Sequence, residues 1–163
     1  ATTFVLFIIL SSIIYKYKTA IQSIVERKIK FTVLTKLMRK TASESTAAFI
    51  TNLKDHYVES LTVDNGTENK EHQKISKELN TPVYFCHPYH SWEKGTNENT
   101  NGLVRRYLPR GSSLENITQD DLNDIAHELN NRPRKSLQYN TPNEMLELEY
   151  SKLPLSVKVA LNG

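Results

Sequence analysis

Two carboxylates stand where they could do chemistry. Asp64 closes the apolar stretch "LTV" and is followed at once by Asn65-Gly66, a turn signal; Glu98 lies within "SWEKGTNENTNGLVRRYLPRG", with 33 residues between the two acids. Each has an ordinary reading alone. Asp and Asn are common turn residues, and an acid in the first turn of a helix complements the helix dipole. A strand-end carboxylate and a helix-start carboxylate together suit a hard divalent cation. Such ions take oxygen ligands and leave the rest of their shell to water and phosphate. Two metals about 4 Å apart, held by carboxylates on rigid elements open to DNA, cleave phosphodiesters. Asp64 and Glu98 are therefore the candidate metal-binding and catalytic pair.

On a helix, Glu98, Asn101, Gly102 and Arg105 fall at i, i+3, i+4 and i+7 and share a face, with Leu103, Val104 and Tyr107 opposite. The Glu98 face is expected to look outward, basic at its C-terminal end near Arg106 and Arg110. Gly102 costs about 1 kcal/mol relative to Ala in a helix, so its presence suits close approach of another chain or ligand. Trp92 either packs beneath its loop or stacks on an unpaired base. His87 and His90 lack convincing metal spacing. Arg132, Arg134 and Lys135 suit either phosphate contact or charge compensation at a helix C-terminus.

These residues need elements to position them. "FVLFIILSSII", "TAIQSIVERK" and "KFTVLTKLMRK" read as three consecutive strands of an antiparallel meander, with a charged turn near Arg27–Lys30. A helix is expected from Ser43, with Ala47, Ile50, Leu53 and Tyr57 inward. "SLTV" is a short strand, "ENKEHQKISKEL" a helix with His72, Ile75 and Leu79 on one side, and "PVYFC" a short buried strand. Further helices are expected from about Thr96 to Tyr107, and from Thr118, an N-cap with Asp121 at the capping-box position, to about Asn130. "TPNE" announces a last helix, with Thr141 as N-cap, Pro142 at N1 and Glu144 at N3. The order implies one α/β domain with a mixed sheet covered on its faces.

Composition agrees with a packed domain. The 163 residues are 38% hydrophobic and 24% charged, with a net charge of +3. Between Lys16 and Lys40 stand eight basic residues and one acid, Glu26, a basic front that suits a polyanion. The single cysteine, Cys86, excludes an internal disulfide and points to a reducing compartment. The apolar start is too short to span a bilayer and lacks the basic flank of a signal peptide.

"VDNGTEN", the 33-residue gap and "SWEKGTNENTNGLVRRYLPRG" closely resemble the DDE transposases of bacterial insertion sequences, in the group called IS-thirty. "IVERKIKFTVLTKL" and "LNNRPRKSLQYNTPNEML" fit the same pattern, so the resemblance runs from about Lys18 to Leu148. It implies an RNase H-like, integrase-type catalytic core at 18–150, after a non-matching apolar start at 1–17 and before a C-terminal tail at 151–163. It further implies transposition of an insertion sequence by cleavage and strand transfer dependent on Mg²⁺ or Mn²⁺. Asp64 and Glu98 would be the second and third acids of the metal triad. Lys94, Asn97, Asn101, Arg105 and Arg106 become candidates for contacts to DNA or to the residues that hold the metal. The partners would be DNA, at element ends and target, and copies of this chain or intact transposase, in the bacterial cytoplasm at the nucleoid and without a membrane.

One part of the pattern is absent. The family's first acid lies on the first strand within Asp-x-x-(Ile/Val)-Gly, which counting back from Lys18 places near Leu10. Here the residues are Leu10, Ser11 and Ser12, and no acid precedes Glu26. The expectation is a gene truncated or frameshifted on its 5′ side, giving a defective copy. The alternative is a non-catalytic remnant that binds DNA or associates with intact transposase.

Overall fold

A computed structural model of the chain describes residues 7–14, 19–64, 66, 70–87 and 95–162. Its strands are β1 (Phe7–Ile14), β2 (Ala20–Glu26), β3 (Thr32–Leu37), β4 (Ser60–Val63) and β5 (Val83–Phe85). They form one sheet in the order β3-β2-β1-β4-β5. The first three are an antiparallel meander, as the runs of β-branched residues imply, and β4 and β5 add in parallel through helical crossovers. The helices are α1 (Ala42–Leu53), α2 (His72–Leu79), α3 (Gly95–Tyr107), α4 (Gln119–Asn130), α5 (Pro142–Ser151) and α6 (Leu155–Asn162).

Strand alternation splits the core into two layers. On one face Ile24, Leu61 and Val63 pack with Phe49 and Leu53 of α1, Ile75 of α2 and Leu153. On the other, Ile21 and Leu34 pack with Val104 and Leu108 beneath α3 and with Leu122, Ile125 and Leu129 of α4. The mixed α/β sheet flanked by helices follows the sequence pattern. Three details differ from it.

Helix α1 starts one residue early, with Thr41 as its N-cap, and is rotated. Ala47 is exposed while Phe49 is fully buried. The Gln22 amide donates to both the carbonyl and the hydroxyl of Ser45, which fixes that rotation from the sheet. Strand β5 is an edge rather than a buried strand, with Tyr84 58% and Phe85 37% exposed. The C-terminal stretch carries α6, whose Val157 packs on the first core beside buried Leu153. The buried Glu149 carboxylate anchors this region, accepting from Lys28 and Lys152 at 3.1 Å each.

The outer edge of β3 is closed by side-chain amides. Asn130 accepts from the Thr32 N–H and donates to its carbonyl, both at 2.8 Å. Gln119 accepts from the Lys36 N–H at 2.9 Å and donates to the Leu34 carbonyl at 2.8 Å.

Both capping boxes form as their sequences imply. In α5 the Thr141 hydroxyl accepts from the Glu144 N–H at 3.1 Å, and the Glu144 carboxylate accepts from the Thr141 N–H at 2.7 Å. Thr141→Ala is expected to cost about 1 kcal/mol and Thr141→Ser much less. A urea midpoint that falls for Ala and holds for Ser, at constant slope, checks this.

Candidate metal and nucleic-acid site

Asp64 follows the last residue of β4. Leu61 and Val63 are fully buried in the α1/α2 layer, so alternation places Thr62 and Asp64 on the opposite face, where α3 packs across β1 and β2. Asp64 is half-buried, and its Oδ1 accepts from the Gly66 N–H at 3.2 Å. The turn chemistry thus orients the carboxylate and is compatible with a ligand role.

Glu98 is exposed in the first turn of α3. The helix is pinned by β2: the Ser23 hydroxyl lies 2.9 Å from Asn101 Oδ1 and 3.3 Å from Asn97 Oδ1, in hydrogen-bonding geometry. Lys30, in the turn after β2, donates to the Thr96 hydroxyl at 3.2 Å. Ser23 is a site residue that sequence reasoning passed over. Its signal was a polar Gln22-Ser23 pair inside an otherwise apolar strand.

Strand register locates the position beside Asp64. Leu10 pairs with Val63, so residue 11 comes alongside Asp64. Residue 11 is also the antiparallel partner of Ser23, on which α3 is fastened. Both β4, which leads to Asp64, and α3, which carries Glu98, contact β1, and the residue of β1 paired with Ser23 is Ser11.

The described residues do not by themselves make up a two-metal carboxylate site. Among the described residues no cluster of three or more His, Cys, Asp and Glu side chains is arranged to hold a metal ion. Two carboxylates are fewer than a pair of closely spaced cations needs, and a serine hydroxyl supplies no charge. Glu26 does not substitute. It shares the face of Ile24, lining a small apolar cavity with Phe31, Leu53, His56 and Leu146, and its carboxylate accepts from the Ile29 N–H. Burial pushes Glu26 up, His56 down and Tyr150 up to about 12, so all three favour neutral forms.

The expected DNA contacts divide. Arg106 is exposed and Arg105 half-buried, with its Nε enclosed and no hydrogen-bond partner among the described residues. Asn97 is 1% exposed and bonded to Ser23, so it fastens α3 to the sheet, which fits the supporting role left open for it rather than a DNA contact. Helical phase alone had not separated it from its exposed neighbour Glu98. Asn101 is half-buried on the same hydroxyl. Lys94, with Trp92 and His90, lies outside the described residues. In the basic knot, Arg132 donates to the Tyr107 hydroxyl at 2.8 Å and Arg134 to the Leu129 carbonyl at 3.0 Å. Both tie down the end of α4. Gly102 faces open space, with nothing within 4 Å of a Cβ built there.

No helix among the described residues is long and apolar enough to cross a membrane. No protein-family model matches the chain. It is 51% identical over 87 residues to the transposase for insertion sequence element IS4351 of Bacteroides fragilis, covering 53% of this chain and 27% of that protein. It is 39% identical over 130 residues to transposase InsI for element IS30A of Escherichia coli, covering 78% and 34%. The transposase for IS1086 of Cupriavidus metallidurans is 39% identical over 132 residues, covering 79% and 39%. The chain thus spans about a third of the length of these curated relatives. Among solved structures, the catalytic core domain of BIV integrase superposes with a TM-score of 0.69 at 20% identity, covering 90% of this chain and 97% of that one. A simian T-cell lymphotropic virus intasome in complex with PP2A regulatory subunit B56 gamma superposes with a TM-score of 0.70 at 18% identity, covering 92% and 55%.

Proposed function

Since the chain is homologous to a segment of the IS30-type insertion-sequence transposases and has an integrase catalytic-core fold, we propose that it is a DNA-engaging transposase core whose cleavage chemistry is disabled. The observation that carries this reading is the register of β1: it sets Ser11 beside Asp64, under the helix that bears Glu98. In this reading Asp64 and Glu98 are two of the acids that would bind Mg²⁺ or Mn²⁺ for phosphodiester cleavage and strand transfer. Serine at position 11 leaves that set short of charge. DNA lies along α3, where Arg105 and Arg106 attract phosphate while the Ser23–Asn101 bond holds the helix on the sheet. The chain acts as an oligomer or beside intact transposase, a reading supported by the likeness to a chain of an assembled intasome.

The test combines binding and cleavage on element-end DNA at low salt with Mg²⁺ or Mn²⁺. Binding is expected to weaken steeply with salt, by about 0.9 in log affinity per log unit of salt for each phosphate neutralised. Arg106→Ala is expected to lower that slope by about one contact. Nicking is expected to stay at background. Metal-dependent nicking that disappears in Asp64→Asn would show an intact catalytic core instead, and absence of DNA binding at low salt would reject both forms of the reading.

A further inference from the structure

We propose that Tyr84 is a stacking platform for an unpaired nucleobase of the strand that passes Asp64. This rests on the DNA-engaging reading above and adds a base contact to it. The parallel register pairs Thr62 with Tyr84, and cross-strand partners share a face, so Tyr84 stands on the same side of the sheet as Asp64. Two residues along an adjacent strand is a separation of roughly 7–8 Å between Cα atoms, within reach of an aromatic side chain.

The fold has little use for this ring. Tyr84 is 58% exposed and belongs to neither core layer. Its neighbours do the packing: Val83 lies on the first core, and Phe85 meets His72 edge-on with centroids 4.8 Å apart at 81°. The backbone beneath the ring is nonetheless fixed on both sides. The Leu61 N–H donates to the Pro82 carbonyl at 3.0 Å, the Cys86 N–H donates to the Val63 carbonyl at 2.9 Å, and Cys86 is buried. An aromatic face is thus held on a rigid strand beside a carboxylate.

Base–aromatic stacking tolerates any sequence but needs a base whose face is free. The occupant is therefore a frayed or single-stranded nucleotide rather than an intact base pair. Arg105 and Arg106 supply the attraction for its phosphates across the site. An exposed tyrosine on an edge strand can also reflect β-propensity alone, which would leave DNA binding indifferent to it.

The test uses the full chain with EDTA at low salt and a duplex carrying a single-stranded tail with 2-aminopurine placed at successive positions. Native protein and Tyr84→Phe are expected to quench the probe at one or two tail positions. Tyr84→Ala is expected to relieve that quench and weaken tailed-DNA affinity roughly tenfold, while affinity for blunt duplex and the urea midpoint stay unchanged. If Tyr84→Ala matches the native protein in quench and tailed-DNA affinity, stacking is overturned and the DNA-engaging reading stands. If no variant binds DNA of either kind, both fall.

Discussion

Replacing Ser11 with aspartate is expected to raise Mg²⁺- or Mn²⁺-dependent nicking of element-end DNA well above that of the native chain, and adding Asp64→Asn is expected to remove the gain. Strand register decides which residue of β1 this is. Residue 11 lies alongside Asp64 and opposite Ser23, whose hydroxyl holds α3 and therefore the base of Glu98. A carboxylate there sets an acid beside Asp64, on the strand that α3 crosses. Without metal, an added acid beside Asp64 meets like charge, which opposes folding. S11D should therefore be less stable than the native chain in EDTA and regain stability as Mn²⁺ is added, because the ion binds only the folded form. The gain in metal affinity should be at least the roughly 10- to 100-fold that outer partners of a metal site are worth. Calorimetry and thermal shifts with Mn²⁺ read this apart from nicking. Leu10→Asp is the control: position 10 pairs with fully buried Val63, so an acid there should destabilise without gaining metal. Equal metal binding by S11D and the native chain would reject the placement of residue 11 in the site.

The largest loss of stability from one polar substitution is expected at Asn130. This side chain is 5% exposed and pairs both backbone groups of Thr32, itself 2% exposed. Asn130→Ala strands a buried N–H and a buried carbonyl together. At about 1–3 kcal/mol for each, the loss is roughly 2–6 kcal/mol, a large share of a domain's stability. Asn130→Asp sharpens the test. Ionised, it keeps the acceptor for the N–H but turns its second oxygen toward the carbonyl; protonated, it can donate again. Its folded pKa should lie above the unfolded value, so the destabilisation is full above the folded pKa and eases as pH falls through it. Urea midpoints measured from neutral to mildly acidic pH should converge toward the native protein for Asp and stay apart for Ala.

Local signals were legible in the sequence where the physics is local. Thr118 with Asp121 and Thr141 with Glu144 specify capping boxes within four residues, and both helices start where those pairs say. The meander was legible because β-branched runs separated by short turns leave few alternatives. The rotation of α1 and the burial of Asn97 on α3 were not. Both are set from the sheet, by Gln22 on Ser45 and by Ser23 on Asn97 and Asn101, and helical period cannot reveal a partner 23 to 78 residues away. "VYF" read as buried because apolar composition does not distinguish an edge strand from a central one. The last helix was hidden by Pro154 and by the Val157-Lys158-Val159 alternation, which imitates a strand. Asp64 and Glu98 were legible as candidates, whereas choosing among Leu10, Ser11 and Ser12 needed the pairing of β1 with β2 and β4.

The amides of Asn130 and Gln119 have a bearing on how copies of this chain can meet. By occupying hydrogen-bonding groups of Thr32, Leu34 and Lys36, they play the part of a missing sixth ribbon. A foreign extended segment arriving at this border finds donors and acceptors already taken, which blunts fibril-like growth and swapping of ribbons between neighbours. Any multimer that uses this side must be glued by side chains on helical surfaces. Its specificity can then be rewritten by surface substitutions without disturbing the sheet.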